Sequence, residues 1–147
     1  VGIAGGVLEV FTKRMKERHS RFGDDMSKKQ SIQLRIAESA AEYDAARKIL
    51  LTNIQESLKI LREKEDIPEE MHHRNRRDMA FCPRLAQASV DRLFYAAGAG
   101  GLDLNNNLQR QFRDVHAAGA QVFLNWDING TVYGRSQLGL EPGGPTL

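Results

Sequence analysis

The stretch from Ser27 to Glu65 contains neither proline nor glycine, and its apolar residues recur at helical spacing. Ile32, Ile36, Ala40, Tyr43, Ile49, Leu50, Ile54, Leu58 and Leu61 form the apolar series, with charged side chains between them. That periodicity predicts one long amphipathic helix, with Ser27 as its N-cap. Such a helix would run for roughly 60 Å at about 1.5 Å per residue. A compact chain of 147 residues does not need a helix of that length. Part of it is therefore expected to pack against another subunit or domain.

The flanking segments read as helices too. From Ile3 to about Arg18, the residues Ile3, Val7, Val10, Phe11 and Met15 line one face, and Phe22-Gly23-Asp24-Asp25 ends the pattern. Ile67-Pro68-Glu69-Glu70 reads as a helix stop followed by a start, with Pro68 at the first helical position and acids in the first turn. The third helix is expected to reach Ala97 on the series Met79, Leu85, Val90, Leu93, Phe94 and Ala97, kinked or briefly broken at Pro83. Gly98-Ala99-Gly100-Gly101 is a loop, and Asn105 to Asn107 supply caps for a last helix. That helix would run through Leu108, Phe112, Val115, Ala118, Val122 and Trp126 to about Val132. Short connections between long helices favour antiparallel neighbours, so the expected fold class is all-α: an up-and-down four-helix bundle without a sheet. It would occupy residues 1–138, with 139–147 as a tail.

A hydrophobic share of 41%, a charged share of 27% and a net charge of +2 argue against disorder and against a polyelectrolyte that coats nucleic acid. The basic stretch Lys13, Arg14, Lys16, Arg18, Arg21, Lys28 and Lys29 reads as a solvated helix face. The lone Cys82 excludes an intramolecular disulfide and a four-cysteine zinc site, and it fits a reducing, cytoplasmic setting. Its neighbours Phe81 and Pro83 suggest a small core residue. His72 and His73 would point about 100° apart on a helix, so they do not make a shared metal site, and both are expected in solvent. No apolar run reaches the roughly 18 residues that span a bilayer. Because the first residue is Val1, the chain is read as the end of a longer protein.

Two regions carry potential chemistry. The glycine run ahead of a helix lets a backbone approach a ligand and offers free amides to an anion. Downstream, Arg110, Arg113, Asp114 and His116 crowd polar groups near a helix start, with Arg113 and Asp114 as a candidate local ion pair.

Taken together, these blocks resemble the C-terminal helical domain of the acyl-CoA dehydrogenase superfamily. Phe22-Gly23, then Gln30 and Ile36-Ala37, is similar to that family's R-x-x-F-G, Q and L-A pattern. The loop ending at Gly101 and the pair Arg113-Asp114 are similar to its G-G-x-G loop and R-D pair. His19 stands where the family has an arginine, with Arg18 and Arg21 nearby. The resemblance implies flavin binding by His19, Arg21, Phe22, Gln30, Gly98, Gly100, Gly101 and Arg113, partly across a subunit interface of a homotetramer.

Most dehydrogenases of the family carry a glutamate base eight residues after the R-D aspartate. Here that position is Val122, and 117–122 holds no acid. Phe112-Arg113-Asp114-Val115-His116-Ala117-Ala118, with Leu124-Asn125-Trp126-Asp127 and Leu138-Gly139-Leu140 beyond, is similar to another branch. That branch comprises the oxygenase components of two-component flavin-dependent monooxygenases, related to hydroxyphenylacetate hydroxylase. Many of these place a histidine where this chain has Gln121. The resemblance therefore implies hydroxylation of an aromatic or polycyclic substrate with reduced FMN or FAD from a separate flavin reductase, and Gln121 and His116 as catalytic candidates. An acyl-CoA dehydrogenase and a non-enzymatic helical oligomerisation module are the alternatives.

Overall fold

The computed structural model describes residues 1–104 and 106–143. Its helices are α1 (Gly2–Glu17), α2 (Gln30–Arg62), α3 (Glu69–Ala97), α4 (Asn107–Gly119) and α5 (Trp126–Gln137). Short 3-10 turns lie at Met26–Lys28, Gly98–Gly101 and Val122–Leu124. Among the described residues there is no strand, and the one bridge, between His19 and Asp25, lies in the α1–α2 loop.

The all-α architecture is the expected one, with a correction at its fourth line. The single last helix is two helices. Gly119 closes α4, Gln121 takes an extended backbone, and the Asn125 side chain accepts from the Ile128 amide to start α5. The two pieces still run along one track antiparallel to α3. Phe112 stacks on Phe94, His116 meets Asp91, Trp126 meets Phe81 and Ser136 meets His73, so rising numbers on one strand of the bundle match falling numbers on the other.

Other boundaries moved less. Ser27 lies inside the 3-10 turn rather than capping α2, whose first turn is entered from Lys29. Pro68 precedes α3 as its N-cap. Pro83 does not break α3, which runs through it. Asn106 is the cap of α4, accepting from the Leu108 amide at 3.1 Å, while Asn105 lies outside the described residues. Of the tail, 144–147 also lie outside them.

The core forms where α1, α3 and α4 meet the first half of α2. Phe11, Met15, Val7, Val90, Leu93, Ala97, Leu108 and Val115 are buried there. Small residues bring α2 and α3 close together. Ser39 Oγ donates to the Ser89 carbonyl at 3.3 Å, and Ser89 Oγ returns a bond to the Ser39 carbonyl at 3.2 Å, so two buried hydroxyls are satisfied across the helix pair. Lower down, Cys82 Sγ meets the Ala46 carbonyl at 3.5 Å, and burial pushes its thiol up to about 11. It is a core residue, as its neighbours suggest. Gly5 gives α1 its approach to α2, since a Cβ there would lie 2.8 Å from the Tyr43 ring.

His73 differs from the expectation of solvent exposure. It is 8% exposed, and its Nδ1 lies 3.0 Å from Ser136 Oγ, because its helix face is covered by α5. His72 is exposed as expected.

Arg92 clamps the upper half of the α2–α3 pair. Its guanidinium donates to both Glu42 oxygens at 2.5 and 2.7 Å, to Glu38 at 2.9 Å and to Ser39 Oγ at 3.1 Å. The bidentate Glu42 contact raises the already high arginine pKa further. With the Arg92 and Glu42 side chains only 18% and 19% exposed, truncation strands the Glu42 carboxylate at a helix interface. Arg92→Ala is expected to destabilise the fold by about 2 kcal/mol, read as a lower urea midpoint with unchanged slope. A midpoint equal to the parent's would contradict the clamp.

Candidate functional site

One end of the bundle gathers most of the residues singled out in the sequence. There α1 ends, α2 begins and α3 ends. Arg18 Nη1 donates to the Ala97 carbonyl at 2.8 Å, fastening the end of α1 to the C-terminus of α3. Arg14 reaches beside it, with Nη2 3.0 Å from where a Cβ on Gly100 would sit. Gly98 ends α3 with φ +63°, a conformation that suits glycine. Gly101 is buried, and the Asn106 side-chain amide donates to the Gly100 carbonyl at 3.0 Å, joining the turn to the start of α4.

The α1–α2 loop is a tight, self-bonded turn. The Ser20 amide donates to the Asp24 carbonyl at 2.7 Å, and Ser20 Oγ accepts from the Phe22 and Asp24 amides at 3.2 and 3.1 Å. Gly23, at φ +88°, closes it. Asp25 ties the base, with its two oxygens 2.9 Å from His19 Nε2 and 2.5 Å from Lys28 Nζ. The hydrogen bond from Lys28 holds the Asp25 carboxyl below its ordinary range, and Lys29 does the same for Asp24. The turn thrusts Phe22 outward, 90% exposed, with Arg21 exposed beside it. Gln30 opens α2 and is also exposed.

The remaining candidates lie along the fourth track. Arg113 is exposed on α4, and Asp114 pairs with Arg110 at 3.4 Å rather than with Arg113, because one helical turn separates the first two while neighbours diverge. His116 is half-exposed. Its Nε2 lies 2.8 Å from Asp91 Oδ1 of α3, and its ring meets the edge of Phe112 at 4.8 Å, which in turn stacks on Phe94 at 4.3 Å. Gln121 is exposed and sits past the end of α4 in extended backbone, so its direction is set by the turn that follows.

That turn is pinned by Asn129, which is 2% exposed on α5. Asn129 Nδ2 donates to the Phe123 and Asn125 carbonyls at 3.1 and 2.8 Å, and its Oδ1 accepts from Arg76 Nε at 3.1 Å. Beside it lies a small groove of about 300 Å³, lined by Arg76, Met79, Val122, Phe123, Ile128 and Asn129.

The structure thus collects His19, Arg21, Phe22, Gln30 and the Gly98–Gly101 turn at one end, with Arg113, His116 and Gln121 strung along α4 and the segment after it. Asp91 and Asn129 were not singled out from the sequence, and Arg18 was read there only as part of a solvated basic face and as a neighbour of His19. Each acts through a partner brought near by helix register, and neither composition nor spacing carries a signal for it. Among the described residues, no group of three or more His, Cys, Asp or Glu side chains is arranged to hold a metal ion.

Comparison with known proteins gives these residues a lineage. Residues 1–126 match the family model described as the acyl-CoA dehydrogenase C-terminal domain. The chain is 35% identical to the oxygenase component of an FADH(2)-dependent resorcinol hydroxylase from Rhizobium sp. (strain MTP-10005), over 98% of this chain and 37% of that protein. It is 33% identical to the oxygenase component of p-hydroxyphenylacetate 3-hydroxylase from Acinetobacter baumannii, over 100% of this chain and 35% of that one. It superposes on the crystal structure of the HsaA monooxygenase from M. tuberculosis with a TM-score of 0.88 at 29% identity, covering 99% of this chain and 37% of that one. The chain therefore spans a little over a third of the length of the relatives it matches. By sequence and by fold, the chain belongs to the acyl-CoA dehydrogenase C-terminal domain family.

Proposed function

We propose that the chain is the C-terminal part of the oxygenase component of a two-component flavin-dependent monooxygenase that hydroxylates an aromatic or polycyclic substrate. The observation that carries this reading is the end of the bundle where Phe22, 90% exposed, and Arg21 project from a self-bonded turn whose entry Arg18 fastens to the Ala97 carbonyl just ahead of the glycine turn. A large aromatic side chain held out in water without an intramolecular partner suits contact with a planar ring system. The cations around it suit a phosphate-bearing chain. The residues present therefore fit a flavin nucleotide. The name of the Rhizobium relative favours reduced FAD over FMN. Its hydroxylase chemistry, and that named for the Acinetobacter relative, favours a phenolic substrate over an acyl thioester.

When bound, the reduced flavin supplies the electrons that activate dioxygen. His19, Arg21, Phe22, Gln30, Gly98, Gly100, Gly101 and Arg113 hold the flavin. Gln121 offers an amide donor toward its reacting face, a group that hydrogen-bonds without exchanging a proton near neutral pH. His116 stands on the substrate side, and Asp114 is structural. Reduced flavin comes from a separate reductase. The setting is the cytoplasm, in line with the lone, buried Cys82. Among the described residues, no helix is long and apolar enough to cross a membrane.

We also place the protein in a homotetramer. Leu51, Ile54, Leu58 and Leu61 recur along one stripe of α2 and are 40%, 54%, 45% and 53% exposed. α1 is too short to reach them, and such a stripe suits a second copy of the same helix.

Three measurements test these statements. The full-length oxygenase is expected to bind reduced FAD more tightly than reduced FMN, and Phe22→Ala should weaken that binding about tenfold, whereas equal binding by the variant would contradict the cradle. Gln121→Ala should lower the yield of hydroxylated product per oxygen consumed by up to about tenfold, and unchanged coupling would remove Gln121 from the chemistry. Sedimentation should give a tetramer that Leu58→Asp dissociates, while a parent protein that stays monomeric at high concentration would contradict the interface.

A further inference from the structure

His116 and Asp91 form a pair that the flavin cradle does not explain. The two residues are 25 positions apart, on α4 and α3, and meet because the helices run antiparallel in the register fixed by Phe94 against Phe112. His116 Nε2 lies 2.8 Å from Asp91 Oδ1, a charge-assisted hydrogen-bond distance. A carboxylate only accepts, so the ring must place its proton on Nε2. The Phe112 ring, at 4.8 Å and 61° to the imidazole, sets the plane in which it lies. No described residue hydrogen-bonds Nδ1, and the imidazole is 42% exposed. The contact thus commits Nε2 to α3 and leaves Nδ1 turned away from it, without a described hydrogen-bond partner.

Resting on the monooxygenase reading above, we propose that Asp91 is a positioning residue that holds His116 with Nδ1 ready to accept the proton of a phenolic substrate. A phenol is a far weaker nucleophile than its anion, and with a pKa near 10 it is mostly protonated at neutral pH. In the step assigned to His116, the substrate O–H bond breaks and an Nδ1–H bond forms. The electron pair stays on oxygen, where it enriches the ring carbons beside it. The imidazolium then carries a positive charge that faces the Asp91 carboxylate, and the proton leaves to solvent later in the cycle. The substrate class that follows is a phenol with an oxidisable carbon next to its hydroxyl. An acyl thioester offers no such proton.

The test uses the full-length oxygenase with reduced FAD, dioxygen and resorcinol as the probe phenol. Asp91→Asn keeps the shape of the side chain but offers an amide that permits the wrong tautomer. It is expected to lower kcat for resorcinol by about tenfold or more with little change in KM, and Asp91→Glu should recover part of that loss. Two readouts separate positioning from mere structural support. In a His116→Ala background, Asp91→Asn should cost nothing further. With a polyfluorinated phenol that is already ionised at the assay pH, the defect should shrink towards the parent rate, because no proton remains to be taken. A loss that is equal for both phenols, that persists without His116, or that fails to occur at all overturns the inference. A parent oxygenase that binds reduced FAD but hydroxylates no phenol instead overturns the reading on which it rests.

Discussion

The whole arrangement hangs on α3, the helix against which α1, α2, α4 and α5 all pack. A helix surrounded in this way cannot be amphipathic in the simple sense, and it solves the problem with size. Ala80, Cys82, Ala86, Ser89 and Ala97 are small and buried, letting neighbours come close, while Val90 and Leu93 fill the space between. The polar groups caught in these contacts are paired across helices, as in the reciprocal serine bonds to α2. Because α3 fixes the register of every neighbour, it also fixes which side chains meet. Asp91 faces α4, Arg92 faces α2, and the Ala97 carbonyl receives Arg18 from α1.

The molecule is divided along this spine. At the end where α3 stops, a self-bonded loop, a glycine turn and the start of α4 offer exposed aromatic and cationic groups. Towards the other end, α1 no longer covers α2, and the leucine stripe from Leu51 to Leu61 faces outward. Between them, Asn129 anchors the turn that carries Gln121 by using its amide in three hydrogen bonds at once. A buried asparagine with its bonds satisfied in this way gives direction more than stability. The proposed flavin contact lies in the first region and along the fourth track, and the proposed interface between copies lies in the second.

Much of the fold was legible because amphipathic periodicity is a local signal. The first three helices end at Glu17, Arg62 and Ala97, within three residues of the expected Arg18, Glu65 and Ala97. The break between α4 and α5 was not legible, because Val115, Ala118, Val122 and Trp126 keep a helical spacing straight through it. What ends α4 is Gly119 together with the capping bond of Asn125, and neither outweighs the periodic pattern until the packing on α3 is known. Val122 consequently turns outward instead of inward, at 60% exposure. The site followed the same division. Phe22 and the glycine turn stand out in the sequence because they interrupt helices, and the family resemblance is what proposes a flavin contact for them. Asp91 was not, because its meaning depends on a contact with His116 that only the antiparallel register creates.

The central claim is that the exposed loop, the glycine turn and the face of α4 are parts of one wall against which a flavin rests. A structure of the full-length protein bound to reduced FAD in the absence of oxygen tests it most directly. The account predicts Gln121 and His116 facing the isoalloxazine side of the ligand, with Phe22, Gln30 and Arg113 in contact with the nucleotide of the same copy or of a neighbour. A bound flavin remote from all five residues would contradict it.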